Sequence, residues 1–212
     1  MSRESSLKNM LLCLFTVTMG VSTLLGGVYI LTYESIEAAK KNEVNAAIAS
    51  VVPAFDNDPS TEMIEQNVDG KKVKVYPALK EGEPVGYAIE SFTTQGFSGL
   101  IVLMIGFLPD GSIYNTAVVS HAETPGLGDK MEQKKANWSL QFNGKHPDTF
   151  KLAVKKDGGD VDAITASTIT SRAFCDAVEL AYKAFLTVSL ETETETETEK
   201  ETQIEQGGNT NE

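Results

Sequence analysis

The chain has 212 residues, a net charge of −12 and two cysteines, which suits one domain with attached segments. Its body carries no basic stripe, so nucleic-acid binding is not expected. Cys13 and Cys175 form no C-x-x-C motif and the two histidines are scattered, so we expect no disulfide, iron–sulfur cluster or zinc site.

The first predicted element is a transmembrane helix at residues 11–31. This stretch of 21 residues contains no charged side chain and is rich in Leu, Val and Gly. About 20 apolar residues cross the core of a bilayer as a helix. A cleaved signal peptide is the alternative, because Arg3 and Lys8 precede the run. The run exceeds the roughly 7–15 residues of a signal-peptide core and no A-x-A-like site follows it, so we expect an uncleaved anchor.

The charges that flank this span predict its orientation. Positive residues lie before it, and Glu34 and Glu37 lie directly after it. The positive-inside rule then places residues 1–10 in the cytoplasm and the bulk of the chain on the periplasmic side of the cytoplasmic membrane. Lys40 and Lys41 weaken this bias, because they are positive charges close to the other end of the span.

Residues 32–70 are predicted to form a membrane-proximal helix and a connection. Apolar residues recur with a helical period over 34–51, and Pro53 ends the pattern. Residues 55–70 are polar, rich in Asn and Asp and without clear periodicity, so we expect an irregular connection there.

The segment 71–190 shows the pattern of an α+β domain. Alternating apolar residues predict strands at 73–76, 85–89, 113–119 and 150–154, and the unbroken run Gly99–Phe107 predicts a strand that is buried on both faces. A tight turn at 109–111 makes its neighbouring strands antiparallel. The inward face of a final amphipathic helix is marked by Phe174, Ala177, Val178, Ala181 and Phe185. We therefore expect an antiparallel sheet with flanking helices.

The last segment, 191–212, is strongly acidic. It holds eight Glu and one Lys and so carries −7 of the net charge of −12. Its Glu-Thr repeat contains no aromatic residue. Such a composition buries too little apolar area to offset the entropy of ordering, so it predicts a disordered tail.

Two segments of the domain have compositions that simple core or surface roles do not explain. The first is the loop at 121–130, which follows a strand directly and contains Gly126, Leu127 and Gly128. The two glycines allow backbone N–H groups to approach a ligand closely, with Leu127 presented at the loop surface. A simple Pro-Gly turn is the alternative interpretation.

The second segment is the hydroxyl run at 165–171, in which five of seven side chains belong to Ser or Thr. These residues are disfavoured inside helices and favoured at helix N-termini, where free N–H groups and the helix dipole also favour a phosphate. The run is therefore a helix cap, a phosphate-binding site, or a hydroxyl that itself becomes phosphorylated.

Together with the span, the two segments resemble the G subunit of the Rnf ion-translocating oxidoreductase complex, a family similar to the C subunit of the sodium-pumping NADH:quinone oxidoreductase. The family's E-T-P-G-x-G loop corresponds to Glu123-Thr-Pro-Gly-Leu-Gly128. Its D-x-x-[ST]-G-A-T motif corresponds to Asp162-Ala-Ile-Thr165-Ala166-Ser167-Thr168. The resemblance covers roughly residues 8–186 and excludes the acidic tail.

The resemblance implies an extracytoplasmic FMN-binding domain in which Thr168 carries FMN covalently through a phosphoester. The implied cofactor-binding residues are Glu123, Thr124, Gly126, Leu127, Gly128, Asp162, Thr165, Ser167, Thr168 and Thr170. It also implies maturation by a separate flavin transferase that uses FAD and a divalent cation and releases AMP. Asp162 and Thr165 would be recognition elements for that enzyme, and a turn role is the alternative for Asp162.

The chain departs from the family motif at two positions, where Ala166 replaces Gly and Ser167 replaces Ala. Both replacements are small, so a close approach to the modified hydroxyl remains possible. Ser167 and Thr170 nevertheless become alternative acceptors. Arg172 could pair with the phosphate or lie free at the surface, and His121 could lie near the flavin or simply end a strand.

The resemblance implies an electron-transfer subunit that is not catalytic alone. It would act with other subunits of an Rnf complex that couples electron transfer between ferredoxin and NAD to ion transport across the membrane. Two alternatives remain. One is the C subunit of the sodium-pumping NADH:quinone oxidoreductase, for which the chain is short, and the other is an anchored, non-enzymatic binding module whose hydroxyl run only caps a helix.

Overall fold

A computed structural model describes residues 7–207 of the chain, with the side chains of residues 7–39 and 41–190. Residues 1–6 and 208–212 lie outside the described residues, and with them parts of the predicted cytoplasmic segment and tail. The chain divides into two compact units, and the division falls between Glu43 and Val44.

The first unit is the greater part of one long helix, α1 (Leu7–Val51). Its most apolar window has a mean hydropathy of 1.9 and is 0% buried by protein, so α1 is long and apolar enough to cross a membrane. The hydroxyls of Thr16, Thr23 and Thr32 donate to carbonyl oxygens one helical turn earlier. Such bonds satisfy polar groups without water. The predicted span 11–31 lies within α1, and the helix predicted at 34–51 is its continuation.

The second unit contains a five-stranded antiparallel sheet with the spatial order β1-β2-β3-β4-β5. The strands are β1 (Ile64–Val68), β2 (Lys71–Lys80), β3 (Glu83–Gly96), β4 (Gly99–Phe107) and β5 (Ile113–His121). Each strand pairs with the next one along the chain, because short turns connect them. The antiparallel sheet and the α+β class expected from the sequence are therefore confirmed.

One strand was not expected, because β1 lies inside the predicted irregular connection 55–70. A two-residue turn joins β1 to β2, and in it Asp69 has φ +52° and Gly70 has φ +78°. Two successive positive φ angles define a type I′ hairpin, for which Asp-Gly is a characteristic pair. This dipeptide is the sequence signal that identifies β1.

The strand predicted at 150–154 is wrong. Val154 makes a single isolated bridge, to Val161, because a tight local loop uses the backbone groups of this segment. Lys151 N–H donates to the carboxylate of Asp160 at 2.8 Å. Val161 N–H donates to the carbonyl oxygen of Ala153 at 3.0 Å. Alternating apolar residues here bury parts of a loop rather than one face of a strand.

A second long helix, α2 (Thr168–Gly207), packs across one face of the sheet and forms the main core with it. The inward residues expected from the sequence are all buried, namely Phe174, Ala177, Val178, Ala181 and Phe185. Two buried hydroxyls of β3 hold the helix in place. Ser91 Oγ donates to the carbonyl oxygen of Ala177, and Thr93 Oγ1 donates to the carboxylate of Asp176, each at 2.7 Å.

The opposite face of the sheet packs against the end of α1. Ile48, Val51 and Val52 form a second apolar cluster with Met104 of β4. The remaining buried members of this cluster are Tyr76, Ala78 and Ala88. β4 is therefore covered on both faces, as its unbroken apolar run predicts.

The helix α2 runs to Gly207 and so includes most of the segment 191–212, for which a disordered tail was predicted. The backbone of 191–207 follows this helix, and the disorder expected of the segment stays a prediction.

We expect the substitution Gly106→Ala to destabilise the second unit. Gly106 lies on β4, and a Cβ atom there would overlap the carbonyl oxygen of Val51 at the end of α1. Overpacking of this kind lowers the free energy of unfolding by about 1–3 kcal/mol. Urea denaturation followed by the fluorescence of Trp138, the single tryptophan, measures the loss. The control Ser120→Ala, at an exposed position of β5, should change stability by less than about 0.5 kcal/mol. Equal stability of the two variants would contradict the described packing.

Candidate functional site

The first turn of α2 is held by hydrogen bonds from the hydroxyl run itself. The backbone N–H and the Oγ of Ser171 both donate to the carbonyl oxygen of Ser167, at 3.1 and 3.0 Å. Ser171 Oγ also accepts a hydrogen bond from Ile164 N–H at 2.9 Å. The chain that enters the helix is thereby tied to the first helical turn.

A tight turn precedes the helix, and Ala166 occupies its strained position. Ser167 N–H donates to the carbonyl oxygen of Ile164 at 3.0 Å, which closes the turn. Ala166 has φ +61°. A positive φ at the third residue of such a turn favours glycine, and a residue with a Cβ atom costs about 1–2 kcal/mol there.

A cleft of about 330 Å³ opens beside this turn. Its walls come from the turn between β3 and β4, from the loop after β5 and from the start of α2. The lining residues are Phe97, Glu123, Thr124, Leu127, Gly128, Ala166, Ser167, Thr168, Ile169 and Thr170. The volume lies within the range of small-molecule sites. Both segments singled out from the sequence therefore meet at one cleft.

Three large apolar side chains of the cleft, which we call the apolar rim, are exposed to solvent. Their exposed fractions are 67% for Phe97, 47% for Ile169 and 40% for Leu127. Exposed apolar groups around a concave site are typical of a binding surface. Phe97 and Ile169 were not among the residues expected from the sequence. The signal for Phe97 is its place at a hairpin tip between Gly96 and Gly99, where an aromatic side chain has no core to enter.

Glu123 connects two walls of the cleft. It is 5% exposed, although it carries a carboxylate. Its Oε1 accepts a hydrogen bond from Ser98 N–H at 2.8 Å, and its Oε2 accepts one from Thr170 Oγ1 at 2.5 Å. The loop that follows folds back on itself, because Gly128 N–H donates to the carbonyl oxygen of Thr124 at 3.1 Å.

The hydroxyls of the run differ in accessibility. Thr170 is buried and donates to Glu123, and Ser171 is buried and donates to Ser167. Ser167 is also buried, whereas Thr165 is exposed but does not line the cleft. Thr168 is partly exposed, lines the cleft and is the first residue of α2.

Three of the residues implied by the resemblance are not among those that line the cleft, namely Asp162, Thr165 and Gly126. The carboxylate of Asp162 lies 2.7 Å from Lys155 Nζ. Its carbonyl oxygen accepts a hydrogen bond from Trp138 Nε1 at 2.5 Å. Through these contacts Asp162 stabilises the loop that leads into α2.

Two further residues considered from the sequence are engaged elsewhere. Arg172 Nε and one terminal nitrogen donate to the carboxylate of Asp157, at 2.7 and 2.9 Å. These hydrogen bonds hold the pKa of Asp157 below its ordinary value. His121 ends β5, where its Nδ1 accepts a hydrogen bond from Glu123 N–H and its Nε2 lies 2.8 Å from Glu132.

The start of α2 is suited to an anion. The first N–H groups of a helix have no intrahelical partner, and the helix dipole adds partial positive charge at that end. Thr168 therefore places a hydroxyl where a phosphate is favoured. Cys175, further along α2, is not a competing nucleophile. Burial raises the pKa of its thiol to about 12, so the thiol is protonated at neutral pH.

The sequence matches the model of the FMN-binding domain over residues 96–183. This range includes the β3–β4 turn, the loop after β5 and the start of α2, so every wall of the cleft lies within the matched domain. The chain therefore combines an FMN-binding domain with a helix that is able to span a membrane.

Three relatives are each named as the G subunit of an ion-translocating oxidoreductase complex. The protein of Shewanella piezotolerans is 36% identical over 190 residues, which is 84% of this chain and 89% of the relative. The protein of Yersinia pestis is 37% identical over 171 residues, 76% of this chain and 82% of the relative. The protein of Erwinia tasmaniensis is 47% identical over 108 residues, 50% of this chain and 51% of the relative. The chain belongs to this family of G subunits of ion-translocating oxidoreductase complexes, which confirms the resemblance noted from its motifs.

We expect Ala166→Gly to raise the stability of the fold relative to a matched control. Glycine removes the cost of the positive φ, about 1–2 kcal/mol, and loses about 0.4–1 kcal/mol through the greater entropy of the unfolded chain. Ala136 is not among the residues with positive φ, so Ala136→Gly relieves no strain and only increases the entropy of the unfolded chain, which lowers stability. Urea titration of Trp138 fluorescence should place the unfolding free energy of Ala166→Gly about 1–2 kcal/mol above that of Ala136→Gly. Equal values would show that Ala166 carries no backbone strain.

Proposed function

We propose that this chain is the FMN-carrying electron-transfer subunit of an Rnf-type ion-translocating oxidoreductase complex. The FMN-binding domain and the names of relatives that match most of the chain support this proposal. The partners would be the other subunits of the complex, which couples electron transfer between ferredoxin and NAD to ion transport. FMN, when bound, supplies reversible electron uptake, and the protein supplies its binding and its environment.

The observation that carries the proposal is one accessible hydroxyl that lies both in the cleft and at the N-terminus of a long helix. Within the hydroxyl run, Thr170 and Ser171 donate to internal acceptors and Ser167 is buried. Thr168 lines the cleft and is partly exposed. We therefore propose that Thr168 carries FMN through a phosphoester.

The residues of the cleft fit this cofactor. The phosphate would lie at Thr168, beside the unpaired N–H groups of the first helical turn. The apolar rim of Phe97, Leu127 and Ile169 offers apolar contacts to an isoalloxazine ring, and an aromatic side chain such as Phe97 stacks readily on such a ring.

Attachment at Thr168 requires a separate enzyme, because an alcohol is too weakly acidic to attack phosphorus unaided. The two histidines are engaged elsewhere, His121 with Glu132 and His146 with the carbonyl oxygen of Asp110. We propose a flavin transferase that uses FAD and a divalent cation. The threonine oxygen bonds to the FMN phosphorus of FAD, the P–O bond of the pyrophosphate breaks, and AMP leaves. The hydroxyl proton passes to the transferase or to solvent, and no electrons are exchanged.

We propose that α1 anchors the chain in the cytoplasmic membrane, with residues 1–10 inside and the FMN-binding domain on the periplasmic side. Lys8 lies before the span, and Glu34 and Glu37 lie just after it, which supports this orientation through the positive-inside rule. A covalent bond suits this location, because a dissociated cofactor outside the cytoplasm would be lost by diffusion.

Thr168→Val should abolish covalent flavin incorporation, because valine keeps the shape of threonine and lacks the hydroxyl. The chain is produced together with a flavin transferase, denatured and separated in a gel, and its flavin fluorescence is recorded. We expect a fluorescent wild type and no signal from the variant. Thr187→Val makes the same change elsewhere on α2 and should fluoresce like the wild type.

Trp138 fluorescence of the purified variants checks that each one is folded. Flavin fluorescence from Thr168→Val would show that FMN is attached to another hydroxyl, which peptide mapping by mass spectrometry would identify. A wild-type chain of unmodified mass in the presence of an active transferase would contradict covalent attachment altogether.

A further inference from the structure

The carboxylate of Glu123 forms a bridge between two segments that are distant in the sequence. One oxygen accepts a hydrogen bond from Ser98 N–H in the β3–β4 turn, at 2.8 Å. The other accepts a hydrogen bond from the Thr170 hydroxyl in the first turn of α2, at 2.5 Å. We call these two hydrogen bonds the Glu123 bridge. A buried carboxylate is tolerated only when its oxygens are hydrogen-bonded, so the bridge and the burial of Glu123 depend on each other.

Two glycines enclose the bridge closely. A Cβ atom on Gly128 would lie 2.6 Å from Glu123 Oε2 and 3.0 Å from Thr170 Oγ1. A Cβ atom on Gly96 would lie 2.8 Å from Glu123 Oε1. Any side chain at either position would displace the carboxylate. The space around the bridge therefore holds the Glu123 side chain in one place.

Each segment that the bridge joins also supplies a wall of the cleft. Phe97 precedes Ser98 in the β3–β4 turn, Leu127 follows Glu123 in its loop, and Thr168 and Ile169 precede Thr170 on α2. Both carboxylate oxygens of Glu123 are engaged by groups of the protein itself. The bridge consequently sets the separation between the Thr168 hydroxyl and the two rim residues on the other segments, Phe97 and Leu127, without using Glu123 as a ligand.

We infer that Glu123 is a positioning residue for flavin attachment, which rests on the proposed function of Thr168. It fixes the first turn of α2 against the β3–β4 turn, so that the Thr168 hydroxyl faces the cleft beside the apolar rim. It also holds the Thr170 hydroxyl inward, which keeps this neighbouring hydroxyl from serving as the acceptor.

The test compares Glu123→Gln with Glu123→Ala in the full chain, produced with a flavin transferase. Glutamine can rebuild the bridge, because its amide oxygen accepts from Ser98 N–H and its amide N–H donates to Thr170 Oγ1. Alanine cannot. The readout is the rate at which covalent flavin fluorescence appears in a denaturing gel. We expect Glu123→Gln to stay near the wild-type rate and Glu123→Ala to fall at least about tenfold, since small misplacements of a reacting group have effects of this size.

A second pair of variants changes the partner of Glu123 in the bridge, Thr170. This pair keeps the inference testable if Glu123→Ala does not fold. Thr170→Ser keeps the hydroxyl that donates to Glu123, and Thr170→Val removes it while keeping the side-chain shape. We expect Thr170→Ser to accept flavin at the wild-type rate and Thr170→Val to be slowed at least about tenfold. The emission of Trp138 establishes that each variant is folded, and peptide mapping establishes that flavin stays on Thr168.

A folded Glu123→Ala protein that accepts flavin at the wild-type rate would overturn the inference. If Glu123→Ala does not fold, equal rates for Thr170→Ser and Thr170→Val would overturn it. A Glu123→Gln protein as slow as Glu123→Ala would also do so, because the negative charge rather than the bridge would then be required. A wild-type chain that takes up no flavin would instead count against the proposed function, so the two failures are distinguishable.

Discussion

The position of α2 along β3 is the constraint on which the site depends. Ser91 and Thr93 hold the helix at Ala177 and Asp176, and the helix runs antiparallel to the strand. With a rise of about 1.5 Å per helical residue and about 3.3 Å per strand residue, the start of α2 lies roughly where β3 ends. The first turn of the helix therefore meets the β3–β4 turn. These two hydrogen bonds therefore help to set the register that brings the walls of the cleft together.

Periodicity was enough to predict the elements that have a buried face, and it failed for the others. It identified the helix at 34–51, the strands β2, β3 and β5 and the inward face of α2, because burial on one side imposes a repeat on each of them. The span 11–31 and β4 were identified instead from unbroken apolar runs. Periodicity missed β1, whose residues are mostly exposed at the edge of the sheet and whose evidence lies in the Asp69-Gly70 turn. At 150–154 an alternating pattern occurs in a loop, because Asp160 and Ala153 bind backbone groups that a strand would pair with a neighbour.

Part of the candidate site could be predicted, because each of its two motifs is a continuous stretch of sequence. The contacts that pack the motifs together could not be predicted, because they join residues that are distant in the sequence. The motifs contain Glu123, Leu127 and Thr168, and all three line the cleft. They do not indicate that Glu123 reaches Ser98 and Thr170, which are 25 and 47 residues away. Partners at such distances depend on how α2 packs on the sheet. Phe97 likewise lies outside both motifs, and only the fold shows that it lines the cleft.

The departure from the family motif at Ala166 has a backbone explanation. From the sequence, the glycine of the motif is attributed to the need for a small side chain near the modified hydroxyl. The structure places this residue at φ +61°, in a turn closed by the hydrogen bond from Ser167 N–H to Ile164. Glycine is favoured there because of its conformation, and alanine costs about 1–2 kcal/mol. The bonds of Ser171 to Ile164 and Ser167 oppose relaxation of the turn, so the positive φ at residue 166 is held although the residue is not glycine.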